Sequence, residues 1–423
     1  MASSLTSFGG HLSIIELASG VKQASKTLAL ASSTQKNHAL LLMAEMLIVG
    51  MDSILSANES DLKRAVASDL GDASIDRLIL NEARLLAMAD QIKEVVQLAD
   101  PIGEITDGYL LPNGLRVRRE RVPLGVVGII YENRPNVTSD SAALCIKSGN
   151  AAFLRGSSAA ISSNLAIADL IASALEKSGL PRQAVTIMRE TSRESAVDFM
   201  NLSGYIDCLI PRGGRSLLDT VRANAKVPVI IDGDGNCHIF VDATADVASA
   251  KRIIANSKMQ RPGVCNAVET VLLHEKIAPQ ILEDITSFLP NVEIRGDDFV
   301  CSLVPTAKRA SEQDFATEFL DLILAVKVVT DMDEAISHIS TYGSGHSEAI
   351  LTSDFVNANR FTREVDAAAV LVNTSTRFVD GNQLGLGAEI GISTQKLHAR
   401  GPMGLKALTC ERYVIEGDGQ IRP

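Results

Sequence analysis

From Pro123 onward, short apolar runs alternate with amphipathic stretches of about ten residues or more. Strands separated by helices of that length cannot pair as hairpins, so the alternation restricts the chain to parallel sheets covered by helices. The pattern predicts strands at Val126–Ile130, Ala151–Leu154, Ala184–Met188, Ile206–Ile210 and Val227–Ile231. It predicts helices at Ser141–Lys147, Ser162–Lys177, Thr191–Met200 and Ser216–Ala223 between them. After Asp246 a second series starts: helix Val247–Ala255, strand Val268–Leu273, helix Ile277–Phe288, strand Leu322–Val329, helix Met332–His338, strand Glu348–Leu351, helix Asp354–Thr362 and strand Ala368–Asn373. The fold class is therefore α/β, with two open parallel-sheet domains.

The rest of the chain adds to this frame. From about Leu12 to Leu98 apolar residues recur at three- and four-residue spacing, as in Ala39, Leu40, Met43 and Leu47, which predicts packed helices. Asn113-Gly114 between alternating segments predicts a projecting hairpin near 109–121, too marginal to stand alone. A strand at Arg412–Glu416 in the tail is expected to add to another subunit's sheet. At 423 residues, two or three domains are expected.

Composition excludes several classes. Apolar residues at 46% and charged ones at 22% mark a globular chain. A net charge of −11, 4% aromatics and no Trp leave neither a basic stripe nor a stacking platform, so nucleic acid is not an expected partner. Six scattered cysteines, without Cys-x-x-Cys or metal-type spacing, read as reduced thiols in a cytoplasmic protein with no metal. The first twenty residues lack a basic segment followed by an apolar one, and the longest apolar run, near Val126–Tyr131, falls far short of the roughly 18–20 residues of a span; no membrane association is expected.

Chemistry concentrates at Met259-Gln260-Arg261-Pro262-Gly263-Val264-Cys265-Asn266. Pro262 and Gly263 place Cys265 on a turn feeding a strand, where a thiol can face a cleft; Arg261 and Lys258 are expected to supply positive potential. A lone cysteine is more often a buried apolar residue, and this one gains weight only from its setting. Gly213-Gly214-Arg215-Ser216 follows a strand and opens a helix, a place for phosphate, and Arg155-Gly156-Ser157 ends a strand where open α/β sheets bind ligands. Asn136 lies past another strand end, where an amide can donate to an oxyanion or simply shape a turn. Two look-alikes fail. Gly385-Leu386-Gly387 has its third glycine misplaced for a dinucleotide fingerprint, and Asp232-Gly233-Asp234-Gly235-Asn236 has Cys237 where a calcium loop needs glycine.

Four segments, 132–156, 259–270, 318–329 and 373–405, together resemble the gamma-glutamyl phosphate reductase family of the aldehyde dehydrogenase superfamily. The resemblance runs over nearly the whole chain. It implies NADPH-dependent reduction of L-glutamyl 5-phosphate to L-glutamate 5-semialdehyde plus phosphate, a step toward proline. The alternatives are a non-phosphorylating aldehyde dehydrogenase and an inactive structural homologue. It implies a cofactor-binding domain at 1–108 and 122–246 with a return segment near 385–403, a catalytic domain at 247–384, and an oligomerisation element at 109–121 and 404–423. By the same resemblance Cys265 is the nucleophile and Asn136, or Asn133, the oxyanion donor together with the backbone N–H of Cys265. Arg155, Gly156, Ser157, Gly213, Gly214, Ser216 and Glu318 contact the cofactor by the same resemblance, Glu318 at the nicotinamide ribose and Arg155 near the adenosine ribose, where a guanidinium suits a 2′-phosphate. Arg261, Arg377 and Arg400 are expected to bind the substrate's anionic groups. A homo-oligomer and a transient contact with glutamate kinase are further expectations. Aldehyde-oxidising relatives carry a water-activating glutamate after the position of Pro228; here the segment reads Val229-Ile230-Ile231-Asp232-Gly233, and only Asp232 offers a partial substitute.

Overall fold

The computed structural model describes residues 13–68, 70–231 and 233–422. They form two compact units, one of residues 13–230 with 404–422 and one of residues 231–403.

The first unit begins with helices whose ends are written in the sequence. Ser13 and Glu16 form a capping box on helix Ile14–Leu28, Ser32 caps Ser33–Val49, and Asn81 caps Glu82–Gln97. Their buried stripes, such as Leu40, Met43 and Leu47, match the predicted spacing. The sheet has four parallel strands in the order Val185–Ile187, Ala151–Arg155, Val126–Tyr131, Cys208–Arg212. Val126–Tyr131 and Ala151–Arg155 are buried at every position, as a sheet covered on both faces requires. The expected strand Val227–Ile231 reduces to one bridge, Leu209 to Val229, because Pro228 has no N–H for a continuing ladder. Helix Ile161–Lys177 is apolar enough, with the preceding turn, to match a membrane span in length and composition, yet half of that window is buried inside the fold.

The predicted hairpin exists: Ile105–Leu110 and Arg116–Pro123 pair antiparallel, with Gly114 at φ +87° in the turn. Thr409–Glu416 joins as the third strand by pairing with Arg116–Pro123 of its own chain. The tail strand thus completes a three-stranded sheet within its own chain, and three strands are also the smallest stable set.

The second unit holds seven parallel strands in the order Lys308–Arg309, Glu293–Gly296, Ile323–Val329, Val268–His274, Cys237–Val241, Ser347–Leu351, Ala369–Val372. Cys237–Val241 is paired on both sides, so residues 233–246 pack with this unit, and 385–403 do as well. The expected helix Ile277–Phe288 is interrupted, as Ala278–Leu282 and Ile285–Phe288, where Asp284 leaves helical backbone angles. One core packs Ile239, Val271, Leu324 and Val326 against helix Val247–Met259; another packs Phe240, Leu272 and Ile350 against helices Met332–Tyr342 and Phe355–Glu364.

Candidate active site

Helix Val247–Met259, capped by Asp246, ends at Met259, and the chain turns through Pro262 and Gly263 before strand Val268–His274. Cys265 sits partly exposed on that turn, whereas Cys145, Cys208 and Cys237 are buried. Burial pushes the Cys208 thiol up to about 12 and Cys237 well above its ordinary value. Cys301 is also partly exposed and Cys410 exposed, so exposure admits three thiols for nucleophilic work and the turn setting distinguishes Cys265.

The turn is held from several sides. The Cys237 thiol donates to the Cys265 carbonyl at 3.1 Å, Asn266 donates from Nδ2 to the Val379 carbonyl at 2.8 Å, and the Thr376 hydroxyl donates to the Asn266 carbonyl at 2.7 Å. Gly235 lies directly against it, since a Cβ there would stand 1.8 Å from the Cys265 carbonyl oxygen. The Gly235 N–H donates to Glu318 Oε1 at 2.9 Å, so the predicted nucleophile and the predicted ribose ligand both meet one glycine. No sequence signal marks Gly235, whose Asp- and Gly-rich segment mimics a calcium loop.

Arg377, half-buried, donates from Nε to Gln260 Oε1 at 2.8 Å and interacts electrostatically with Arg261 and Cys265; burial lowers its guanidinium from the ordinary value, with Asp380 opposing. Arg261 is exposed at the turn. Arg400 pairs with Asp366 at 2.7 Å. Lys258 does not supply free positive potential: it is fully buried, with Nζ 2.5 Å from Glu269 Oε2. The helix end on which it lies turns it inward, and its charge faces a carboxylate. Asp232 lies outside the described residues.

In the first unit, Arg155 ends its strand with Nη2 donating to the carbonyls of Thr191 and Ser192, both at 2.8 Å, while its buried Nε has no partner among the described residues. Ser157 Oγ donates to Asn133 Oδ1 at 2.8 Å, which turns the Asn133 amide NH₂ away from Ser157. Asn136 is the first residue of helix Asn136–Lys147, and its Nδ2 donates to Asp140 Oδ2 at 2.8 Å. Burial raises the Asp140 carboxyl to about 6, with the Asn136 and Ser139 hydrogen bonds opposing. Gly156 is closed in by Asn164, whose Nδ2 would lie 2.1 Å from a Cβ.

At the second turn, helix Arg215–Asn224 begins after Gly213 and Gly214, and the Gly214 N–H donates to Glu132 Oε2 at 3.0 Å. A Cβ on Gly213 would meet the same carboxylate at 2.7 Å, and Ser216 is exposed. This turn therefore already holds an anion, supplied by the chain itself, as the exposed N–H groups of a helix start favour. Free N–H groups at a helix start suit a phosphate as well as a carboxylate, and Glu132 occupies that place.

The chain matches the aldehyde dehydrogenase family over residues 18–317. It is 56% identical over 411 residues to a gamma-glutamyl phosphate reductase of Carboxydothermus hydrogenoformans, covering 97% of this chain and 99% of that protein. The crystal structure of gamma-glutamyl phosphate reductase from Thermotoga maritima superposes with a TM-score of 0.94 at 46% identity, covering 97% of this chain and 99% of that one. An engineered glycolyl-CoA reductase with bound NADP⁺ shares the fold at a TM-score of 0.68 and 16% identity, with coverage of 97% and 98%.

Proposed function

Because the chain belongs to the aldehyde dehydrogenase family, we propose that it reduces L-glutamyl 5-phosphate to L-glutamate 5-semialdehyde and inorganic phosphate, with NADPH as reductant. The observation that carries this reading is the partly exposed Cys265 on a turn braced by Gly235, Cys237 and Thr376, with Arg261 and Arg377 beside it, in a chain so close to reductases of that name.

In this mechanism the Cys265 thiolate attacks the acyl carbon. The oxyanion that forms accepts from the Cys265 backbone N–H and from an asparagine amide, and the C–O bond to phosphate breaks to leave a thioester on Cys265. NADPH, when bound, supplies hydride to the thioester carbon. The resulting hemithioacetal oxyanion, held by the same two donors, re-forms a carbonyl, releasing the aldehyde and returning the Cys265 thiolate. Losing one such donor typically costs about a hundred- to a thousand-fold in rate. Of the two asparagines, Asn133 is favoured over Asn136, because Ser157 orients its amide while Asn136 already donates to Asp140. Arg261 and Arg377, with Arg400, would bind the substrate carboxylate and phosphate, since guanidinium groups match planar anions. The cofactor would be held by Arg155, Gly156, Ser157, Gly213, Gly214, Ser216 and Glu318, with Glu132 leaving the turn as phosphate enters.

We assign the cofactor role to the first unit and the acyl-transfer role to the second, and place the protein in the cytoplasm as a homo-oligomer. Exposed Ile105, Tyr109, Leu110, Tyr413 and Ile415 on the three-stranded sheet support self-association; light scattering measures it. Contact with glutamate kinase belongs to the same proposal, and co-sedimentation tests it. The deciding experiment is NADP⁺ reduction with L-glutamate 5-semialdehyde, with and without inorganic phosphate. Strict dependence on phosphate supports the reading, and equal rates without phosphate would replace it with a hydrolytic aldehyde dehydrogenase.

A further inference from the structure

Two fully buried charges flank the nucleophile turn. Lys258 lies in the last turn of the helix before it and Glu269 in the strand after it, both with no exposed side-chain surface, at 2.5 Å. Burying two ions costs several kcal/mol each before their attraction is counted, and apolar residues of similar volume often serve stability equally well. The pair therefore calls for a reason beyond stability.

Its second contact supplies one. The other oxygen of Glu269 accepts from the Leu320 N–H at 3.2 Å. Leu320 has φ +54°, a left-handed conformation costly for a branched side chain, so this segment is held rather than relaxed. Two residues earlier, Glu318 accepts from Gly235, and Gly235 abuts the Cys265 carbonyl that Cys237 also binds. The contacts close a ring: Lys258 and Glu269 span the turn, Glu269 holds the Leu320 backbone, Glu318 holds Gly235, and Gly235 bears on Cys265.

We propose that Lys258 and Glu269 are positioning residues that fix Cys265 and Glu318 relative to each other, so that one buried pair sets both the nucleophile and the carboxylate assigned to the nicotinamide ribose. The proposal rests on the roles given to Cys265 and Glu318 above. The pair touches neither substrate nor cofactor. It acts through the turn it spans and through Leu320.

The test separates positioning from mere folding. Removing one partner strands a buried charge, so Lys258→Met or Glu269→Leu alone should melt at lower temperature. The double variant Lys258→Met/Glu269→Leu removes both charges and should melt at or above the wild-type temperature. In that double variant, iodoacetamide modification of Cys265, followed by peptide mass, should slow at least tenfold, and the Kd for NADPH should rise at least fivefold. A double variant within twofold of wild type on either quantity overturns the proposal, because the pair would then not set both groups. If the double variant does not fold, Glu269→Gln carries the test: it removes the carboxylate partner of Lys258, and it too must slow Cys265 modification and raise the Kd for NADPH. The underlying reading fails separately, if modifying Cys265 in the wild type leaves activity intact or if Glu318→Gln leaves the Kd for NADPH unchanged.

Discussion

Gly235→Ala is the sharpest single probe of how Cys265, the proposed nucleophile, is held. An added Cβ would stand 1.8 Å from the Cys265 carbonyl oxygen and 2.4 Å from its Cα and carbonyl carbon. Restoring ordinary contact requires a shift of about 1.5 Å in one of two main chains. Neither is loose. The Cys265 carbonyl is bound by Cys237, its neighbour Asn266 is bound to Val379 and Thr376, and Gly235 is tied to Glu318. A misplacement of about 1 Å in a reacting group can cost roughly a hundred-fold in rate, so kcat/KM in the phosphate-dependent assay should fall about a hundred-fold or more. Overpacking of this kind also costs about 1–3 kcal/mol of stability, readable as a lower Tm. Activity within threefold of wild type would show that the turn does not set the nucleophile.

Three other perturbations address the first unit. Asn133→Ala should lower kcat by about a hundred-fold or more and Asn136→Ala by much less, and the reverse order would return the oxyanion role to Asn136. Arg155→Ala should weaken NADPH at least tenfold and NADH far less, measured by fluorescence titration; equal losses would reduce Arg155 to a brace for the Thr191 and Ser192 carbonyls. The Asp140 carboxyl is raised to about 6 in the folded chain against an ordinary 3.8, so its contribution to stability is present below about pH 4 and lost as pH rises through 6. Asp140→Asn stays neutral throughout, and its Tm relative to wild type should climb across that interval; a constant difference would refute the assigned titration.

Most of the sheet framework could be read from the chain because buried strands such as Val126–Tyr131 are apolar at nearly every position and Val268–His274 carries the run Val271-Leu272-Leu273. Lys308–Arg309 at the sheet edge and its neighbour Glu293–Gly296 could not, being short and charged. Cys237–Val241 opens with Cys237 and His238, and the preceding Asp and Gly residues masked its start. Among site residues, the turn at Cys265 followed from Pro262 and Gly263 alone. The inward direction of Lys258 did not, since a lysine at a helix end is ordinarily exposed and its partner Glu269 lies across a turn that no helical or strand periodicity links. Glu132 at the Gly214 N–H was equally hidden, because the two are joined only by the register of parallel strands.

In the proposed mechanism Cys265 carries an acyl group that phosphate, and not water, removes. Mixing the protein with L-glutamate 5-semialdehyde and NADP⁺ in phosphate-free buffer, then quenching in acid and mapping peptides by mass, detects that group. A glutamyl adduct is expected on the Cys265 peptide; it persists without phosphate, discharges when phosphate is added, and is missing from Cys265→Ala. Steady release of free glutamate without phosphate, or an adduct on another residue, would contradict it.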